Sequence, residues 1–542
     1  MGVQSADSCP LVNGAGDADL SLSRPLLGDA SCHGDKFSSL VKEKEELPLV
    51  HHHQLILEDS FIFHEFTVAQ IVEEIPALSR ISAPTTATGL LYYARNLISM
   101  LFLGHLGHVE LAAGALSVGF ANITGYSIFS GLSMGMEPIC GQAYGAQQWS
   151  LLSLTLHRTI AFLLLISIPI SLLWLNADQI LLYIGQDPTI TKVAKTYLLY
   201  TLPDLIAQSI IHPLRIYLRT QNVTHPVAFV AAIASLIHIP LNYYLVIVLK
   251  TGIKGVAIAV VLTNFNIILL LVCYIYFSGV CSKTWTSVSM DCFKEWGSFI
   301  SLAIPSCISV CLEWWWYEFM IILCGLLRNP EETVSAIGIL IQMTALVYVF
   351  PSSLGYGVST RVAQELGAEQ PGRARRAAAM GTACGAFIGV AAMAFNIWAR
   401  GWWGVMFTNR TGVLKLVAAA LPILGLCELG NCPQTAMCGV LRGSARAGIG
   451  AKVNLGAFYG VGLPVALLLG FWVGLGFVGL WLGLLAAQAS CALVLGVVLI
   501  RTDWAKQVKR AKELTGGGEV VKGDDSVNKD EERECLKGMV GP

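Results

Sequence analysis

The stretch VCLEWWWYEFMII, Val310–Ile322, sets two carboxylates, Glu313 and Glu318, among three tryptophans and a tyrosine, inside an apolar run long enough to cross a bilayer. An ionisable group at that depth is costly and is a functional candidate by default. A carboxyl there can take a proton from one side and release it to the other. Charged, it attracts a cation; protonated, it does not. At about 100° per residue, Glu313 and Glu318 point about 140° apart and line different faces. Tyr317 shares the face of Glu313, and Trp314 that of Glu318. Trp314, Trp315, Trp316 and Tyr317 offer ring faces to an aromatic or cationic ligand; the alternative is packing between helices and an interfacial belt.

Three other segments carry polar groups into apolar surroundings. GLLYYARNLISMLFLG contains Arg95 with Tyr92 and Asn96 nearby. An arginine in a span needs a partner or water. It either pairs with Asp204 of YTLPDLIAQ, or with an acid of the second half, or faces a central cavity and holds a substrate carboxylate. CELGNCPQTAMCGVLRG contains Glu428 and Asn431, close to one face of a helix. Pro422 and Pro433 bracket them and either free carbonyls to line a cavity or simply kink the helix. Glu137 reads as a gate or loop contact, and Gln142 and Gln364 as braces of helix ends. The histidines are scattered, with no metal-ligand or nucleophile–base spacing, which argues against an enzyme.

These groups must be held by membrane helices. Of 542 residues 54% are hydrophobic and 13% charged, against about 25% charged in a soluble domain. Apolar stretches of about 20 residues recur from Ile75 to Ile500, so the chain is an all-α polytopic membrane protein with twelve expected spans. The expected organisation is a disordered tail over 1–70, helices 1–6 over 71–280, a loop over 281–297, helices 7–12 over 298–502 and a second tail over 503–542. The first span is expected to act as the insertion signal. His51–His53 read as solvated linker, Ala6 breaks the myristoylation pattern, and RPLL at 24–27 only faintly resembles a sorting signal. The net charge of −1 comes with no basic cluster suited to nucleic acid. The fifteen cysteines sit mostly in apolar runs and read as small buried hydrophobes. Lysine and arginine concentrate in KTWTSVSMDCFKEW, RVAQELGAEQPGRARR, RGSARAGIGAK and RTDWAKQVKRAK, which places both termini in the cytoplasm.

The two halves repeat. GMEPICGQAYGAQQ (135–148) matches GVSTRVAQELGAEQ (357–370) at a shift of 222, Pro240, Gly252 and Gly255 match Pro464, Gly476 and Gly479 at 224, and Pro84 matches Pro305 at 221. Six helices per half give both repeats the same orientation, with the site between them, as in carriers that rock one lobe against the other.

LGHLGHVELAAGALSVGFANITGYSIFSGLSMGMEPICGQAYGAQQ, together with CLEWWWYEF, LLRNPEE, STRVAQELGA and CGVLRGSARAGIGA, resembles the multidrug and toxic compound extrusion (MATE) family, plant detoxification-type branch, over 74–501. The resemblance implies a two-lobed, twelve-helix antiporter that exports organic compounds against protons, with sodium as the alternative coupling ion. It matches Glu313 to the essential carboxylate of the seventh helix and Glu318 to a second acidic position. It also matches Asn431 to a position where many members carry aspartate; an amide cannot exchange a proton, and Glu428 is the expected substitute. The coupling candidates are Glu313, Glu318, Glu428 and Asn431. The cavity candidates are Arg95, Tyr92, Asn96, Asp204, Trp316 and Tyr317. A small organic substrate, the lipid bilayer as surroundings, a monomer, and no bound cofactor or metal are expected, in the plasma membrane or an endomembrane. The competing readings are a flippase-like carrier of lipid-linked substrates, a membrane enzyme and a transport-dead scaffold.

Overall fold

The computed structural model describes residues 68–287 and 289–516. The features expected before position 68 and after 516 lie outside the described residues. Twelve long helices follow one another: α1 (Val68–Leu106), α2 (His108–Gly145), α3 (Trp149–Leu175), α4 (Pro188–Thr220), α5 (His225–Val248), α6 (Ile253–Ser278), α7 (Trp296–Gly325), α8 (Pro330–Gly367), α9 (Pro371–Ala399), α10 (Thr411–Gly443), α11 (Ala447–Trp472) and α12 (Phe477–Ile500). A short helix, α13 (Trp504–Leu514), ends the described chain. Ten are apolar enough to span a membrane by composition alone. The other two, α1 and α4, have the length, at 39 and 33 residues. They fall short because each carries a polar stripe, which becomes important below.

Local signals set the helix ends. Asp187 precedes Pro188 and accepts from the amides of Thr189 and Ile190 at 2.8 and 3.1 Å, capping α4. Asp503 caps α13 by accepting from the Lys506 amide at 3.1 Å. The repeat extends to the backbone. Residues with left-handed φ come in matched pairs: Gln147 (59°) with Glu369 (59°), Asn222 (61°) with Ala445 (59°), and Gly252 (62°) with Gly476 (57°). The end of α5 (Tyr243–Val248) and its counterpart in α11 (Leu468–Trp472) both loosen into π-helical turns.

Helices α1–α6 and α7–α12 form two six-helix lobes, each with its own apolar core. Phe129, Leu163, Trp174 and Tyr217 centre the N-lobe, and Trp316, Met343, Phe458 and Trp481 the C-lobe. The first turns of α7 (Phe299, Leu302, Ala303) pack into the N-lobe core. The connector before them is tied to that lobe too: Tyr217 on α4 meets the Thr284 hydroxyl at 2.7 Å, and Arg158 on α3 donates to the Asp291 carbonyl at 3.4 Å. The lobes touch by reciprocal pairs, α2 on α7 and α8 on α1. A Cβ on Gly135 would sit 2.5 Å from the Ala303 Cα, and one on its repeat partner Gly357 would strike the Ser82 hydroxyl. Glycine is required at Gly135, where backbone meets backbone, and gives close approach at Gly357 as well.

Candidate functional site

A narrow cleft opens between the lobes, lined by Ser130 and Met134 of α2, Ser309, Glu313 and Trp314 of α7, Tyr348, Ser352 and Tyr356 of α8, and Thr435, Cys438 and Arg442 of α10. Glu313 stands beside Tyr348 and Arg442 in this lining, with Glu428 near enough for its charge to be felt. Tyr317, one turn along α7, lies close enough to both Glu313 and Glu428 to feel their charges. Glu428 on α10 is fully buried; its Oε2 accepts from Asn431 Nδ2 at 2.8 Å and from the Cys432 thiol at 3.5 Å. Asn431 Oδ1 in turn accepts from Gln488 Nε2 on α12 at 3.4 Å. Gln434, three residues on, is buried with neither end of its amide partnered, a condition that ordered water ordinarily relieves. The cluster can hold a proton at either of two carboxyls, with a tyrosine between them.

The N-lobe holds a different polar centre. Asp204 on α4 accepts from Asn264 Nδ2 at 2.6 Å, Tyr126 at 2.9 Å and Gln208 at 3.2 Å. Arg95 on α1, 8% exposed, donates through Nη1 to Asn264 Oδ1 at 2.6 Å. The arginine and the aspartate therefore meet through an amide, not directly. Beside them His238 joins Ser99, Thr263 and Asn242 at 2.9, 2.7 and 2.9 Å. These bonds tie α1, α2, α4, α5 and α6 together.

Below the cleft, in the half of the bundle that carries α13, the lobes interlock. The fully buried Glu137 of α2 pairs with Arg219 of α4 at 2.7 Å and Arg442 of α10 at 3.4 Å. Both guanidiniums lie over the Tyr356 ring, at 4.5 and 5.6 Å. Gln142 Nε2 donates to the Gly443 carbonyl at 3.0 Å, and its repeat partner Gln364 to the Thr220 carbonyl at 2.8 Å. Each lobe thus caps the last turn of the other's central helix. A Cβ on Gly145 would collide with the Gln364 carbonyl, and one on Gly367 with the Gln142 carbonyl. Arg361 of α8 adds a bridge to Glu74 of α1 at 3.0 Å.

Of the sequence candidates, the structure gathers Glu313, Tyr317, Glu428 and Asn431 into one cluster, and Arg95, Tyr92 and Asp204 into another. Glu318 stands apart, with no hydrogen bond or ion pair among the described residues, as its angle from Glu313 requires. Trp316 does not reach the cleft: it is 1% exposed and packs against Phe458 and Tyr459 at 5.7 and 6.1 Å, so of the two readings of the tryptophans this one takes the packing role. Asn96 is exposed on the outside of α1, one position off the stripe of Thr85, Thr88, Tyr92 and Arg95. Sequence reading missed Tyr348, Asn264, Arg215 and Arg442. Arg442 had a signal, since it lies in GVLRG and repeats Arg219 at a shift of 223.

The MatE family model matches this chain twice, over 84–244 and 305–468, the second match starting at the repeat partner of Pro84. Protein DETOXIFICATION 48 from Arabidopsis thaliana is 60% identical over 444 residues, 82% of this chain and 84% of the relative. Protein DETOXIFICATION 49 from the same plant is 57% identical, over 82% of this chain and 88% of its own length. The crystal structure of the eukaryotic MATE transporter AtDTX14 superposes with a TM-score of 0.79 at 35% identity, covering 82% of this chain and 99% of that one.

Proposed function

From the premise that the chain belongs to the MatE family and is a multi-pass membrane transporter, we propose that it exports small organic compounds in exchange for protons, with Glu313 as the proton site. The observation that carries this reading is the place of Glu313: inside the inter-lobe cleft, whose lining it shares with Tyr348 and Arg442. Arg442 is shared. It faces Glu313 above and pairs with Glu137 below, at 3.4 Å. A proton on Glu313 removes one of its two anionic neighbours and leaves Arg442 to Glu137, which favours the interlocked state. Loss of that proton draws Arg442 back and weakens the interlock. Proton occupancy and lobe position are thereby linked through one guanidinium.

The basic connectors and α13 favour a cytoplasmic interlocked end by the positive-inside rule, so the conformation described is the one closed to the cytoplasm. Glu428 takes the acidic role that Asn431 lacks: the amide donates to its carboxylate at 2.8 Å, a bond suited to the charged form. Sealed vesicles with an imposed pH gradient test the reading, with ethidium among the probes. Wild type is expected to transport under an acidic interior, and Glu313→Gln to lose the response. An unchanged Glu313→Gln would remove proton coupling from that residue. A sodium gradient that drives wild type where a pH gradient does not would replace the proton as coupling ion. Glu428→Gln is expected to slow pH-driven transport by at least roughly tenfold; transport at the wild-type rate would return Glu428 to a structural role.

A further inference from the structure

A second, small cavity lies in the N-lobe, lined by Thr85 and Thr88 of α1, Arg215 and Arg219 of α4, Thr224 just before α5 and Val227 within it. It is the repeat counterpart of the acidic cleft. At the shifts that align the halves, Thr88 corresponds to Ser309, Tyr92 to Glu313, Arg215 to Cys438 and Arg219 to Arg442. Where the C-lobe places a carboxylate, the N-lobe places a tyrosine and an added guanidinium.

The charges there do not balance. Along the facing stripes of α1, α2 and α4 stand three arginines, Arg95, Arg215 and Arg219, and two carboxylates, Asp204 and Glu137. Arg219 is taken by Glu137, and Arg95 reaches Asp204 through Asn264. Arg215 has no acidic partner and no hydrogen bond among the described residues. Its guanidinium rests over the Tyr92 ring at 4.9 Å, with that of Arg95 at 5.0 Å from the same ring. The Tyr92 hydroxyl and Arg95 Nε, both buried, have no acceptor among the described residues. The threonines add no negative charge, and Thr85 and Thr88 donate back to the carbonyls of their own helix at 2.7 and 2.9 Å. A half-buried guanidinium that lines the cavity, with two unpartnered buried donors packed beside it, wants an acceptor that carries charge.

We propose that this cavity binds the oxyanion head of an organic anion, with Arg215 as its principal contact and Tyr92 and Arg95 as supporting donors. The proposal deepens the export reading and rests on it for transport, though not for binding. It makes the chain a carrier of organic acids whose anion sits in one lobe while the exchanged proton sits in the other.

Binding to the purified full chain in lipid nanodiscs tests this, with naphthalene-1-sulfonate as the anion, naphthyltrimethylammonium as the cation and naphthalenemethanol as the neutral analogue. In wild type the sulfonate is expected to bind at least roughly tenfold tighter than either analogue. Arg215→Gln is expected to weaken it by roughly 10- to 100-fold, Arg215→Lys by less because the charge remains, and Tyr92→Phe by about threefold to tenfold. Melting temperature reports whether each variant folds. If Arg215→Gln does not fold, the wild-type ligand series and Tyr92→Phe decide. Equal or tighter binding of the cation overturns the site, as does a folded Arg215→Gln that binds the sulfonate within about twofold of wild type. Sulfonate binding by a wild type that moves no probe under a pH gradient keeps the site and removes the export reading. Ethidium transport without sulfonate binding does the reverse.

Discussion

The two lobes share a backbone and differ in charge. Prolines, glycines and left-handed turn residues recur at nearly one shift, and the cavities recur with them. Yet the C-lobe places Glu313 and Cys438 where the N-lobe offers Tyr92 and Arg215. Symmetry-related main chain therefore positions the chemistry without dictating it. The N-lobe also holds the buried Asp204 with three hydrogen bonds. The C-lobe leaves Glu313 facing the cleft and Gln434 unpartnered. On the proposed function the charge that changes is that of Glu313, while Asp204 braces its lobe.

The largest expected effect separates these roles. Glu313→Gln should abolish pH-driven transport while the purified protein melts near the wild-type temperature. Asp204→Asn should act mainly on stability. It unbalances Arg95 and removes one partner of a buried charge cluster, a change worth about 3–5 kcal/mol. A clear fall in melting temperature is expected, and an Asp204→Asn protein that melts like wild type would end the distinction. Next come Gly145→Ala and Gly367→Ala. Each forces a methyl group into the opposite helix at the interlock, at about 1–3 kcal/mol. Cysteine-accessibility labelling from the α13 side should rise equally in both; a rise in only one would show that the interlock is not symmetric. The smallest effect lies outside the spans. The Lys195 ammonium, 2.7 Å from Asp178, holds that carboxyl below the usual carboxylate range. Its contribution is present at neutral pH and is lost as pH falls from the unfolded value, about 3.9, through the lower folded one. Because the pair is about one-third exposed it is worth under about 1 kcal/mol. Asp178→Asn should lower the melting temperature slightly at pH 7 and not at pH 3. The Glu331–Arg410 pair of the C-lobe is largely exposed, and Glu331→Gln should change nothing measurable.

Much of this was legible in the sequence because bilayer crossing demands long apolar runs, and duplication leaves matched glycines and prolines. Glu313 stood out because a carboxylate in a span has few innocent explanations. Helical angle correctly separated Glu318 from it and joined Tyr317 to it. What could not be read was which face of a helix meets which neighbour. Trp316 went to the core and Asn96 to the outside because one position along a helix turns a side chain by about 100°. Asn264, which joins Arg95 to Asp204, lies in an otherwise apolar helix and shows its role only when three helices meet. Arg215 carried no motif; its meaning comes from the acid it lacks, and only packing reveals an absence.

The crossing of α2 and α8 has a consequence for inheritance. Gly145 abuts the carbonyl of Gln364, Gly367 abuts that of Gln142, and each glutamine caps a helix of the other lobe. Four positions from two copies of one ancestral segment thus make a single clasp. A change in one copy is felt at once by the other, so the halves cannot drift independently there, even as the side chains lining the cavities above them have diverged. Duplication supplied two hooks of one shape, and their mutual fit is what keeps both copies alike.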